Sequence, residues 1–294
     1  MKILITGASG YLGNRLAIHL IQKGHQICLL VRDASIATRL NDIVDFVHIS
    51  RYSNDLDIHR CINDFQPDAV VHAAGCYGRK GQSLLDILDA NVRFGLVLVE
   101  CLVQQVRETV FLNIGTSLDS CVSPYSKSKN DFSNWGAVAV TRASQLKFIN
   151  VQLQQFYGEG DDLSKFPAKV LHTCFRNEVD LALTHGNQLR DFIYVDDVVS
   201  GMTLLLKSAA LFPPYIDVEL GTGKSVSIKK FVQTVHTLTD SKTNLMFGAV
   251  ETRANEPEEI KAIPDILRSL GWCPSYSLDE GLKKTIKLEF GRER

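Results

Sequence analysis

Gly7, Gly10 and Gly13 stand directly after a short apolar run at residues 2–6. They open a stretch, 11–23, in which Leu12, Leu16 and Leu20 recur at helical spacing. Few folds satisfy this combination: a buried strand, a turn free of Cβ atoms, and a helix packed straight back on the strand. Such a turn lets the N–H groups at the helix start approach a pyrophosphate. With 20 glycines in 294 residues the spacing arises by chance in about one chain in ten, and the strand–turn–helix setting makes it more specific. Gly7, Ser9, Gly10, Tyr11, Leu12 and Gly13 are therefore candidate dinucleotide-binding residues.

The same rhythm continues along the chain. Apolar runs at 26–31, 46–49 (the weakest), 69–72, 110–114, 148–153 and 218–221 alternate with helical stretches, the longest at 84–105. The runs show little internal alternation, as strands buried on both faces do. This predicts an α/β fold, a Rossmann-type doubly wound parallel sheet. After about residue 155 the rhythm changes. Residues 157–166 read as a loop, 168–177 as a helix, 190–195 as a short strand, and 227–238 and 264–270 as helices before a final one. The expected division is a dinucleotide-binding domain of residues 1–155 with about 190–235, and a smaller interleaved C-terminal lobe, 156–189 with about 236–294, for substrate.

Composition narrows the partners. Lys and Arg total 32 against 33 Asp and Glu, a formal net charge of -1, which argues against a nucleic-acid binder. No apolar stretch approaches the ~20 residues of a membrane helix. The seven cysteines form no CxxC pair and no cluster with His, so no metal site is expected and the thiols read as reduced, in a cytoplasmic protein.

The end of the second strand bears on which dinucleotide binds. A free 2′-hydroxyl is usually held there by an acid, a 2′-phosphate by Arg. The sequence reads Leu30-Val31-Arg32-Asp33, and a guanidinium pairs bidentately with phosphate. Arg32 thus favours NADP(H) over NAD(H). The alternative is a solvated Arg32, with Asp33 on an adenosine hydroxyl.

Tyr125 and Lys129 form a YxxxK. On a helix, i and i+4 share a face, so the ammonium can sit near the phenol. A nearby cation would lower the phenol toward neutrality and make it a proton donor usable at pH 7. The pair follows a strand ending in Gly115-Thr116-Ser117, a suitable place for a hydroxyl that binds a carbonyl oxygen.

Taken in order, GASGYLG, VVHAAG, Asn91, GTS, YxxxK, FYGEG, RDFIYVDDVV and GTGKSVSIKKFV resemble the extended short-chain dehydrogenase/reductases, the NAD-dependent epimerase/dehydratase family. The likeness covers nearly the whole chain. It implies Thr116 (or Ser117, if the register slips by one), Tyr125 and Lys129 as the catalytic set, with Tyr125 the general acid and Lys129 on the nicotinamide ribose. It further implies that Ala73, Ala74, Gly75 and Asn91 line the cofactor, and that Gln155 flanks the nicotinamide and substrate. Arg190 would approach a nucleotide-sugar diphosphate, and in ETRANE Arg253 would meet phosphate and Glu256 a ribose hydroxyl. A homodimer through the 84–105 helix and the helix carrying Tyr125 is also implied. Two departures stand out: Asp55 and Asp57 are the candidates for the acid after the third strand, and the loop from Thr116 to Tyr125 is short.

Members of the family that dehydrate across C5 and C6 place an Asp-Glu pair after the catalytic Thr; here Ser117 and Leu118 follow. That leaves reduction of a 4-keto sugar or C4 epimerisation. The stretches GCYGRKG, FLNIGTSLDS, QQFYGEGDDLSKF and FGAVETRANE resemble the branch that makes CDP-linked 3,6-dideoxyhexoses for O-antigen. The resemblance thus implies NADPH-dependent reduction at C4 of a CDP-linked 6-deoxy or 3,6-dideoxy hexose. An NAD-dependent epimerase is the alternative, and a non-catalytic dinucleotide sensor a third. Cys76-Tyr77-Gly78-Arg79 follows the fourth strand and reads either as a sugar-selecting segment or as a structural loop.

Overall fold

The computed structural model describes residues 1–32, 38–253 and 255–291. Strands β1 (Lys2–Thr6), β2 (Gln26–Arg32), β3 (His48–Tyr52), β4 (Ala69–His72), β5 (Thr109–Ile114) and β6 (Leu146–Leu153) join strand Tyr215–Leu220 in one seven-stranded sheet. Its order is Tyr215–Leu220, β6, β5, β4, β1, β2, β3. β1 pairs in parallel with both β2 and β4, and the order reverses at β1. In such sheets ligands bind beyond the strand C-termini at the reversal, where the glycine turn lies. Helices α1 (Tyr11–Gln22), α2 (Asp55–Phe65), α3 (Leu84–Leu88), α4 (Phe94–Val103) and α5 (Pro124–Arg142) belong to the crossovers. No helix among the described residues is long and apolar enough to cross a membrane.

The chain divides into two compact units, Met1–Gln152 with Met202–Val218, and Leu153–Gly201 with Glu219–Arg294. Segments 190–201 and 219–235 thus lie with the second unit, where the sequence grouped them with the first. Asp191 is the reason: its carboxylate accepts from Thr222 N and Oγ1, Gly223 N and Ala262 N. The apolar run at 190–195 is also two strands. Leu189–Arg190 pairs with Val226–Ser227 and Glu259–Ile260, while Phe192–Tyr194 pairs with Gln155–Tyr157, so part of the expected loop at 157–166 is strand.

Two elements of the first unit also depart from the sequence expectation. β3 begins two residues after the apolar run does, because Phe46 lies in a 3-10 turn and is 70% exposed. The long helix at 84–105 is broken by a π-helical turn, Asp89–Arg93. The buried Asn91 lies in that wide turn and bonds to neighbouring segments described below. Such turns occur often at functional sites.

Aromatic packing dominates the core between α4, α5 and the sheet. Phe111 stacks on Phe148 at 5.0 Å, and Phe132 meets both edge-on. His72 sits among Phe94, Phe111 and Phe132. Its Nδ1 shares a 2.9 Å hydrogen bond with Thr6 Oγ1, and its Nε2 is buried without a partner. Burial therefore holds this imidazole neutral, well below its ordinary range, with the Lys129 charge acting in the same direction. As pH falls below about 6.5 the unfolded chain takes a proton that the folded core refuses, so stability drops with acid. Denaturant melts between pH 4.5 and 7 should show His72→Leu losing stability with acid less steeply than the parent, by up to ~1.4 kcal/mol per pH unit.

Candidate active site

The glycine turn is shaped by the absence of side chains. Gly7 has φ +71°, and a Cβ on it would stand 2.5 Å from the Ala73–Ala74 peptide. A Cβ on Gly13 would stand 2.4 Å from Gly7 O. Gly10 caps α1 with its backbone alone, donating to Gly7 O at 2.9 Å, and no side chain caps the helix. The start of α1 therefore presents the positive potential of a helix N-terminus. Ala74 N donates to Thr6 Oγ1 at 3.4 Å, holding the Ala73–Gly75 segment beside the turn. This Cβ-free cradle fits a dinucleotide pyrophosphate.

Arg32 ends β2 and is exposed. Asp33, the competing residue for the adenosine side, lies outside the described residues. The sequence reading missed Arg39: its carbonyl accepts from Asn14 Nδ2 at 2.8 Å, which anchors its backbone to the first turns of α1. The cue was Asn14, a buried amide directly after Gly13.

Asn91 is 0% exposed. Its Oδ1 accepts from Cys76 N at 2.6 Å, and its Nδ2 donates to Cys76 O and Ser128 Oγ, each at 2.9 Å. Ser128 in turn donates to Tyr125 O. The amide expected to line the cofactor is thus engaged in tying the segment after β4 to the helix that carries Tyr125. That helix starts on a capping box, Ser123 with Ser126, and has Pro124 in its first turn. Tyr125 falls in the first turn and Lys129 one turn later.

Lys129 is 3% exposed, and burial pulls its ammonium down to about 8. Tyr125 is half-buried, and its phenol is pushed well above its ordinary value. Desolvation is the main cause; Tyr77 adds to it and the Arg79 charge opposes it. The lowering expected from Lys129 is absent here: burial raises the phenol, and the charge that opposes it is that of Arg79. A phenol kept protonated at neutral pH is still in the form a proton donor needs. Tyr77 stacks on Tyr125 with ring centroids 4.5 Å apart, and Arg79 lies 4.8 Å from the Tyr77 ring. The segment after β4 therefore packs on the candidate acid itself. Thr116, two residues beyond β5, is buried, and its Oγ1 accepts from Leu118 N; Ser117 is half-buried.

The other expected residues lie in the second unit. Gln155 begins a strand in register with Phe192. Arg190 is buried, donating to Leu189 O and paired with Glu256. Glu256 therefore meets Arg190, while Arg253 is exposed. Among the described residues no His, Cys, Asp and Glu group could hold a metal.

Residues 3–221 match the model of the NAD dependent epimerase/dehydratase family. The chain belongs to that family. It is 32% identical over 299 residues to a CDP-abequose synthase of Salmonella muenchen, covering 98% of each chain. A CDP-abequose synthase of Salmonella typhimurium is 29% identical, covering 97% of each. Among solved structures, a UDP-glucose 4-epimerase of Thermotoga maritima superposes with TM-score 0.85 at 20% identity over 98% of each chain, a likeness of fold. Its family is one of NAD-dependent epimerases and dehydratases.

The buried ammonium carries a stability cost. Below pH 8 the folded state holds a desolvated charge; the cost fades as pH rises toward 10.5, where the unfolded chain also loses the proton. In dinucleotide-free protein at pH 7, Lys129→Met should gain stability, on the order of 3 kcal/mol at most. Denaturant melts should show that gain shrinking as the pH is raised to about 10, while turnover is lost at every pH.

Proposed function

We propose that this protein is an NADPH-dependent reductase of the 4-keto group of a CDP-linked 6-deoxy or 3,6-dideoxy hexose. The observation that carries the reading is the full-length match to CDP-abequose synthase at 32% identity. The absence of carboxylates at Ser117 and Leu118, after Thr116, speaks against 4,6-dehydration. Arg32, exposed at the end of β2, supports a 2′-phosphate and hence NADPH.

A bound nicotinamide supplies the hydride. Tyr125, protonated at neutral pH, donates its hydroxyl proton to the C4 oxygen as negative charge develops there. Thr116 donates a hydrogen bond to the same oxygen, worth more in a dry site than in water. Lys129 holds the nicotinamide ribose, and its positive charge stabilises the Tyr125 phenolate left when the proton is given up. Gly7, Ser9, Gly10, Tyr11, Leu12 and Gly13 cradle the pyrophosphate, with Ala73, Ala74 and Gly75 beside the adenosine. Gln155, Arg190, Arg253 and Glu256 take the nucleotide sugar. Arg190 is neutralised by Glu256, so the exposed Arg253 is the cation open to phosphate. A homodimer belongs to this reading: Leu84, Leu85 and Leu88 of α3 and Trp135 and Val138 of α5 are exposed apolar residues on the elements expected to pair.

NADPH oxidation followed at 340 nm with a CDP-4-keto-3,6-dideoxyhexose and its 6-deoxy analogue tests the assignment. Turnover should fall about 10²–10⁴-fold in Tyr125→Phe. Arg32→Glu should raise KM for NADPH about tenfold or more and leave KM for NADH far less changed. Tightly held NAD in the purified protein, with no net NADPH consumption, would overturn the reductase reading in favour of epimerisation.

A further inference from the structure

Cys28 and Cys61 are 33 residues apart, yet their Sγ atoms lie 3.8 Å from each other, one on β2 and the other on α2. Neither takes part in the chemistry above. Cys28 is fully buried, whereas Cys61, 6% exposed, lines a surface cavity of about 350 Å³ with His48, Ser50, Arg51, Asp57, Arg60 and Asp64. One sulfur of the pair is therefore reachable by a small solute, and its partner waits behind it.

We propose that Cys28 and Cys61 form an oxidisable dithiol, a modification site that a small peroxide entering this cavity converts to an intramolecular disulfide. The local chemistry assigns the roles. The hydrogen bond shared with Cys28 and the one with Ser50 favour the Cys61 thiolate, against burial and the Asp64 charge. The hydrogen bond with Cys61, and then burial, hold Cys28 as the thiol. The accessible cysteine is thus the nucleophile, as reactive cysteines generally are.

The reaction balances in two steps. Cys61 thiolate attacks one peroxide oxygen; the S–O bond forms, the O–O bond breaks, and the second oxygen leaves as hydroxide, which takes a proton to become water. Cys28 sulfur then attacks Cys61 sulfur; the S–S bond forms, the S–O bond breaks, and the hydroxyl leaves as water with the Cys28 proton. Two electrons pass from the two sulfurs to the peroxide. The sulfurs must close from 3.8 Å to the ~2.05 Å of a disulfide. The bond would link β2 to α2, and a thiol reductant would reverse it.

The test uses the full chain with the exposed Cys121 and Cys273 replaced by Ser, treated with hydrogen peroxide and then alkylated. The expected result is a loss of two titratable thiols, restored by dithiothreitol, and a non-reduced peptide map containing one linked Cys28–Cys61 pair. Cys28→Ser should stop at the first step, leaving Cys61 as a sulfenic acid that dimedone labels at least tenfold faster than Cys101. No thiol loss under peroxide, a link from Cys61 to Cys101 instead, or dimedone labelling spread evenly over the buried cysteines would each overturn the proposal. The peptide map of the chain with Cys28 intact carries the test alone should Cys28→Ser fail to fold.

Discussion

The backbone contact between the first turn and the end of β4 sets the rest of the first unit. At Gly7 there is no room for a single additional carbon: the Ala73–Ala74 peptide occupies that space on one side, and Gly13 brings α1 equally close on the other. The contact fixes how near α1 lies to the sheet and leaves the helix N-terminus without a side-chain cap. Thr6 and His72, adjacent on β1 and β4, fasten the same corner from the core side. A β-carbon at Gly7 would have to displace the Ala73–Ala74 backbone just beyond β4, so the site tolerates little adjustment.

From that corner, rigidity extends to the chemistry through one amide. Asn91 reaches the segment after β4 on one side and Ser128 on the other, and Ser128 holds the carbonyl of Tyr125. The arrangement places a phenol under an aromatic neighbour and buries an ammonium one helical turn away. Both groups are in environments that disfavour their charged forms. An interior chosen for stability alone would contain neither, whereas a site that moves a proton has use for both: a phenol that keeps its proton at neutral pH and an ammonium whose range burial brings down to about 8.

Much of this was legible in the chain. The glycine spacing, the alternation of apolar runs with helices and the YxxxK rest on local rules, and local rules are what a sequence displays. The misreadings arose where distant segments compete. The run at 190–195 looks like a single strand, but Asp191, near its start, recruits donors from 222, 223 and 262 and divides it between two sheets. The 84–105 helix contains a wide turn because a buried amide needs partners on two other elements. The direction of the Tyr125 shift depends on how much water the fold removes, which residue spacing does not encode. Cys28 and Cys61 looked scattered because the β2–α2 crossover that joins them spans 33 residues.

The interleaving of the two units has a consequence for synthesis. The outer strand beside β6 comes from residues 215–220, and Asn150 Nδ2 donates to Asp217 at 2.7 Å while Phe148 N donates to Pro214 O. A ribosome that has released only the first 152 residues has therefore produced a sheet with an open edge at β6, and an open edge invites pairing with another chain. The covering strand cannot arrive until some sixty further residues, most of them belonging to the other unit, have emerged. Nor does any single cut free one unit intact, since each is assembled from two stretches of chain. Truncation at the apparent boundary would yield a protein prone to self-association rather than a smaller dinucleotide-binding module.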